Sequence, residues 1–233
     1  DFKGEEYSRR LESRARKEGY VAFGIPGDTT VLMVAMMLAS PRIVTLLLEN
    51  GASVESVDVM GNDAFMFASM FGRSENLQCW LERVKDWDLS RQNTVVGGCA
   101  LGHAAYMGAN KLETVKVLLD AGASLDYRSF VGGNVLINAA DNEDSDPDVV
   151  RTVLEKMKSS FSEKEFTSFV NYRYKASTVK WKVLYFVSKN LNRTGLSKSG
   201  LMYAMSLRSG TTALNYAVMR GDVKIVKILL ENG

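Results

Sequence analysis

"TVLMVAMMLASPRIVTLLLENGA", residues 30–52, reads as two short apolar helices. Ala39-Ser40-Pro41 separates them, since proline suits the first turn of a new helix and disrupts the interior of an old one. Gly51 supplies the stop. A near copy, "TALNYAVMRGDVKIVKILLENG", returns at residues 212–233. Helices of about two to three turns are marginal by themselves in water. A chain that repeats them must therefore stack them.

The opening phrase recurs as "TVLMVA" (30–35), "DAFMFA" (63–68), "CALGHA" (99–104), "NVLINA" (134–139) and "TALNYA" (212–217), with starts 33, 36, 35 and 78 residues apart. Each is followed by a second apolar stretch: "IVTLLLENGA", "LQCWLER", "TVKVLLDAGA", "VVRTVLEK" and "IVKILLENG". A period in the low thirties with two short helices per unit marks a solenoid, in which neighbouring units supply one another's interior.

The pattern resembles the ankyrin repeat, whose usual form is close to G-x-T-P-L-H-x-A-A-x-x-G-x-x-x-I-V-x-x-L-L-x-x-G-A-D-V-N. Thr212, Leu214, Ala217, Gly221, Ile225, Val226, Leu229, Leu230 and Gly233 carry the likeness best. Thr30, Leu32, Ala35, Ile43, Val44, Leu47, Leu48, Gly51, Ala52, Val54 and Asp58 carry it next. The resemblance implies an all-α solenoid of stacked helix–turn–helix units with loops or short hairpins projecting to one side. The family's histidine is Met33, Met66, Gly102, Ile137 and Asn215 here, and its proline is Val31, Ala64, Ala100, Val135 and Ala213. Capping hydrogen bonds around that motif are then expected to be lost or remade. The expected organisation is an N-terminal helix and cap at 1–26, four repeats over 27–157, a basic helical insertion at 158–208, and a fifth repeat at 209–233, with the chain cut before the next unit.

Composition is that of a globular chain, with 46% apolar and 24% charged residues. No apolar run reaches the ~18 to 20 residues of a membrane-spanning helix. The two cysteines, Cys79 and Cys99, have no metal-ligand spacing and are too few for a disulfide framework, which fits an intracellular setting, cytoplasm or organelle interior. The start on Asp1 and the end on "LLENG" both read as cuts through a longer polypeptide. Net charge is only +2, yet Phe166 to Arg208 holds eight basic residues and no acidic one. Such asymmetry suggests a charged partner or two faces with different roles.

Local motifs argue against chemistry. His103, the only histidine, has no nucleophile or orienting carboxylate in a recognised pattern, so its expected role is structural. Asp144, Asp146, Asp148 and Glu155 fall at positions 1, 3, 5 and 12 of a calcium loop, but Val149 occupies the glycine position. The plainer reading is a helix start capped by Asp146 with Pro147 in the first turn. "TGLSKSG" (194–200) lacks the phosphate-loop pattern, and Gly195 reads as a helix stop. No cofactor or metal is expected.

The insertion is expected to begin with a capping box at Ser162 and Glu165. "STVKWKVLYFVSKNLNRTG" follows as a helix capped by Ser177, with Val179, Val183, Val187 and Leu191, thickened by Leu184, as its packed stripe. The bland expectation is one or two helices on the convex side of the solenoid. The sharper one is a basic docking surface of Arg173, Lys175, Lys180, Lys182, Lys189, Arg193 and Lys198 for an acidic protein, nucleic acid or an anionic membrane-associated assembly. Interleaved Tyr172, Tyr174, Trp181 and Tyr185 would suit stacking on bases.

With no acid, base and nucleophile set, the expected function is a non-catalytic protein–protein interaction module, a scaffold or accessory subunit. A regulatory segment of a larger enzyme or channel is the alternative. Mapped by the resemblance, the partner-binding loop tips are Val57, Asp58, Val59 and Met60, then Gln92, Asn93 and Thr94, then Arg128, Ser129, Phe130 and Val131. Val59, Met60 and Phe130 are apolar residues that suit a partner's pocket or an adjacent tip.

Overall fold

Each copy of the repeated phrase starts a helix because its first residue supplies an acceptor to the orphan amides of the first turn. Asp63 accepts from the Met66 amide at 2.8 Å and Asn134 from that of Ile137 at 2.8 Å. Thr30 accepts from Met33 at 3.3 Å, the Cys99 thiol from Gly102 at 3.4 Å, and Thr212 from Asn215 at 3.2 Å. The Asn215 side chain returns the bond, accepting the Thr212 amide at 2.8 Å. The capping put in doubt by the missing histidine is remade with residues particular to each unit.

The computed structural model describes residues 27–107, 111–141, 146–196, 199, 205–206 and 208–233. The expected N-terminal helix at 1–26 lies outside them. The helices are α1 (Val31–Leu38), α2 (Pro41–Glu49), α3 (Ala64–Met70), α4 (Ser74–Arg83), α5 (Ala100–Tyr106), α6 (Lys111–Asp120), α7 (Val135–Asp141), α8 (Pro147–Ser160), α9 (Glu163–Val170), α10 (Val179–Arg193), α11 (Ala213–Arg220) and α12 (Val223–Leu230). Among the described residues there is no strand, only an isolated antiparallel bridge between Val57 and Asp63. The architecture is an all-helical repeat solenoid.

First helices stack as one layer, α1 on α3 on α5 on α7 on α11, and second helices as another, α2, α4, α6, α8 and α12. Short side chains at Ala35, Ala68, Ala104, Ala139 and Ala217 let the first layer close, and all five are buried. Larger side chains fill the space between layers: Met36, Phe65, Leu77, Trp80, Leu101, Leu118 and Leu136 are almost wholly enclosed. Trp80 meets Trp87 edge-on with ring centroids 5.0 Å apart, an arrangement that aromatic quadrupoles favour.

The free carbonyls at the end of a first helix are satisfied by the next unit. Asn76 and Arg73 donate to the Ala39 carbonyl at 3.1 and 2.9 Å, and Asn138 adds a bond to the Gly102 carbonyl, inside α5, at 3.0 Å. At the last junction Arg220 donates to the Asp141 carbonyl, and the Asp141 carboxylate pairs with Arg208 at 3.4 Å and Arg220 at 3.3 Å. Burial raises the Asp141 pKa; the two guanidiniums counter it. Replacing Asp141 by alanine is expected to cost about 2 to 3 kcal/mol, because two cations lose their partner. Hydrogen exchange would show it as faster opening of α11 and α12 than of α3 to α6.

The fifth unit sits directly on the fourth although their phrases start 78 residues apart. The intervening chain is accommodated in two excursions. α9, opened by the expected Ser162–Glu165 capping box, lies beside α8 with Phe166, Phe169 and Val170 buried. The chain then crosses to the loop side, where the Tyr174 amide donates to the Thr211 carbonyl at 2.7 Å and the Gly210 amide donates to the Tyr174 carbonyl at 2.8 Å. α10 departs from this point and the chain returns to it.

Three expectations for the insertion are corrected. α10 lies over the loops instead of the convex side: the Trp181 indole donates to the Val95 carbonyl at 3.0 Å. Thr178, not Ser177, occupies its N-cap, and the Ser177 hydroxyl turns to the carbonyls of Ser129 and Phe130. The packed stripe is also rotated, and of the expected residues only Leu184 and Leu191 are half-buried. Tyr185 and Ser188 are buried and Trp181 and Leu184 partly so, whereas Val179, Val183 and Val187 face solvent. Two aromatic rings bury more area than three valines. Their polar ends also find acceptors here, with the Tyr185 hydroxyl donating to that of Tyr174 at 3.3 Å.

Candidate functional site

The loops between units form one hydrogen-bonded row. The buried Asp58 carboxylate accepts the amides of Met60 at 2.8 Å and Asn62 at 2.7 Å, together with the Asn62 side chain at 3.0 Å, which folds the first tip into a tight turn. That turn leaves Val59 60% and Met60 37% exposed, with Val57 also facing solvent. In the second tip, buried Asn93 donates to Asn62 at 2.8 Å and accepts the amides of Val96 and Gly98 at 3.0 and 3.2 Å. In the third, buried Ser129 accepts the Gly133 amide at 2.8 Å.

Backbone bonds join tip to tip. Val59 donates to Gly27 at 3.1 Å, Thr94 to Met60 at 3.0 Å, Phe130 to Val96 at 2.9 Å, and Ser177 to Phe130 at 3.0 Å. Gln92 reinforces the row by donating to the carbonyls of Gly97 at 2.9 Å and Arg128 at 2.8 Å. The close approach requires a glycine at Gly97, whose φ is +67° and where a Cβ would stand 2.5 Å from the Phe130 ring. Phe130 is therefore not on a bare tip: it is half-buried against its neighbour. Val131 is half-buried too, and Arg128 lies over the rings of Phe169 at 4.3 Å and Tyr172 at 4.5 Å.

Of the expected tip residues, then, Val57, Val59, Met60, Gln92 and Thr94 are exposed, while Asp58, Asn93 and Ser129 shape the turns from within. Asn62 and Trp181 also hold the row and carried no sequence signal for it. Behind the tips, His103 lies 3.4 Å from the Asn93 amide, and its ring occupies the space above Gly98. Burial lowers its pKa to about 4, with nearby Asp58 opposing the shift. The imidazole is neutral at pH 7 and its position is one of support. Burial likewise pushes the Cys99 thiol up to about 11, so it is no nucleophile.

The basic residues are dispersed. Lys180, Lys182, Lys189 and Arg193 project from α10, Lys175 is exposed before it, and Arg173 donates to the Gly210 carbonyl at 3.4 Å. Lys198 lies outside the described residues. The aromatics expected to stack on bases point inward: Tyr174 and Tyr185 are buried with centroids 6.1 Å apart, Trp181 packs on Tyr185, and Tyr172 lies beneath Arg128. Those four aromatics therefore form no exposed stacking platform. Among the described residues no group of three His, Cys, Asp or Glu could hold a metal, and no helix is long and apolar enough to cross a membrane.

Residues 209–233, which hold α11 and α12, match the family model for the ankyrin repeat. The chain carries an ankyrin repeat. A stretch of 112 residues is also 29% identical to the phosphocholine transferase AnkX of Legionella pneumophila, covering 47% of this chain and 12% of that protein. The chain thus spans a small part of the length of the curated relative it matches. An ankyrin repeat points to a protein-interaction module, and the row of tips lies before the matched residues, in the helical stack that this repeat continues.

Proposed function

We propose that this chain is a non-catalytic recognition module that binds a partner protein along its row of loop tips, with Val59 and Met60 as the apolar anchor. The observation that supports it is an exposed apolar pair on a turn held rigid by the buried Asp58 and by bonds to both neighbours. A preorganised anchor keeps its binding energy instead of losing it to ordering of the loop. The non-catalytic part is supported by His103, kept neutral and packed over Gly98, and by the buried Cys99 thiol one turn away, whose pKa is pushed up to about 11.

Val59→Asp with Met60→Asp is the test, since both side chains lie outside the core. Affinity capture followed by titration against the captured protein is expected to show at least about a hundredfold weaker binding, the scale of a lost hot spot. An unchanged affinity at unchanged melting temperature would move recognition off the tips.

The relative favours a second reading, in which such repeats serve as the recognition segment of a larger enzyme. Its name assigns phosphocholine transfer to a protein of which the matched stretch is only 12%. On this reading the 233-residue chain alone adds no phosphocholine to a captured partner. A mass gain on that partner would place chemistry within these residues.

A further inference from the structure

We propose that the outer face of α10 is a second docking site, separate from the tips, for an acidic amphipathic helix of a partner protein. With its aromatic side turned into the solenoid, α10 shows solvent a continuous apolar stripe at i, i+4, i+7 and i+8: Val179, Val183, Phe186 and Val187. Val183 is 55% and Phe186 71% exposed. This spacing matches the seam by which one helix lies on another. Soluble chains do not commonly leave such a stripe uncovered.

Charge selects the occupant. At 3.6 residues per turn, Lys182, Lys189 and Arg193 line one edge of the stripe and Lys180 the other. No acidic residue lies between Phe166 and Arg208, and among the described residues none of these four cations makes an ion pair. A ligand with an apolar face and carboxylates on both margins satisfies stripe and edges together. A second copy of α10 would set cation against cation. The chain's own segment 5–18 holds five basic and four acidic residues and offers no net negative charge. A lipid surface fits less well, because helices that lie in membrane interfaces present Trp, Phe and Leu. Here Trp181 and Tyr185 face inward, and the outer stripe is mainly valine.

The test uses two fluorescent helical peptides of about 18 residues, long enough to hold helix. They share one Leu/Ile stripe and differ only in having Glu or Lys on its margins. Phosphatidylcholine–phosphatidylserine vesicles serve as the third probe. The whole chain is expected to bind the Glu peptide at least about tenfold more tightly than the Lys peptide, and less tightly as salt rises. Phe186→Asp is expected to abolish binding with unchanged circular dichroism and melting. Lys180→Glu with Lys182→Glu and Lys189→Glu is expected to reverse the preference towards the Lys peptide. Val59→Asp with Met60→Asp should leave peptide binding intact, which separates this site from the tips. The proposal is overturned by equal binding of the two peptides, by binding of neither, or by a preference that survives Phe186→Asp or the charge reversal. Phe186-dependent binding to vesicles but to neither peptide would assign the face to lipid instead.

Discussion

Gly97→Ala is expected to lower stability by about 2 to 4 kcal/mol. Two costs combine. The first is the positive φ of +67°, which a Cβ disfavours. The second is contact: the new methyl would stand 2.5 Å from the Phe130 ring and 2.6 Å from the Phe130 amide nitrogen, which is already bonded to Val96. The melting temperature should fall by roughly 4 to 16 °C. Gly122→Ala is the control, because φ there is +91° and nothing lies within 4 Å. It isolates the backbone cost. Combining Gly97→Ala with Phe130→Ala should recover only part of the loss, since the ring can be removed and the backbone cannot. Equal losses at Gly97 and Gly122 would mean that the tips do not press on one another.

Acid is expected to loosen the same region well before ordinary carboxylates titrate. His103 has a reference pKa of 6.5 when unfolded and about 4 in the fold. Above pH 6.5 neither state is protonated and the contribution to stability is whole. Between pH 6.5 and 4 the unfolded chain takes a proton that the folded one refuses, so stability falls as pH falls. The full gap corresponds to on the order of 3 kcal/mol, and partial solvent access of the residue brings the expected loss to about 2 kcal/mol. Asp63 and Asp141 act in the opposite sense, since burial raises both carboxyl pKa values and their ionised forms are the costly ones. His103→Gln keeps a hydrogen-bonding partner for Asn93 and removes the titration. Its melting temperature should therefore change less than the wild type's between pH 7 and 4. Parallel curves for the two proteins would exclude His103 as the acid-sensitive group.

The helical stack was legible in the residues for a simple reason. A repeat repeats its physics: Thr30 and Thr212 cap alike, Ala35 and Ala217 allow the same close approach, and Gly51 and Gly221 both adopt positive φ. Ser162, Glu165 and Pro147 marked helix starts by local bonds that need no tertiary partner. The tip row was not legible, because its bonds run between backbone groups more than thirty residues apart and any side chain can supply those. Only glycines betray the contact: a Cβ at Gly61, Gly97 or Gly132 would stand within 2.7 Å of Thr94, Phe130 or Lys175. The orientation of α10 was ambiguous in principle. Val179, Val183 and Val187 make one helical stripe; Trp181, Tyr185 and Ser188 make another. Which turns inward depends on acceptors at Val95 and Tyr174 that lie elsewhere in the chain. The exposed pair Val59 and Met60 was anticipated from the resemblance, whereas the half-burial of Phe130 depends on its neighbour's missing Cβ.

Tyr174 touches both the outgoing and the returning strand of chain around α10, bonding Thr211 and Gly210. The excursion is thus a cassette hung on a closed clasp. A splice that joins residue 177 to 208 through a short glycine linker would leave the clasp and the five stacked units in register. Changes in the length of the cassette, or in its composition away from Trp181 and Tyr185, can accordingly accumulate, or be engineered, without strain reaching the helices beneath.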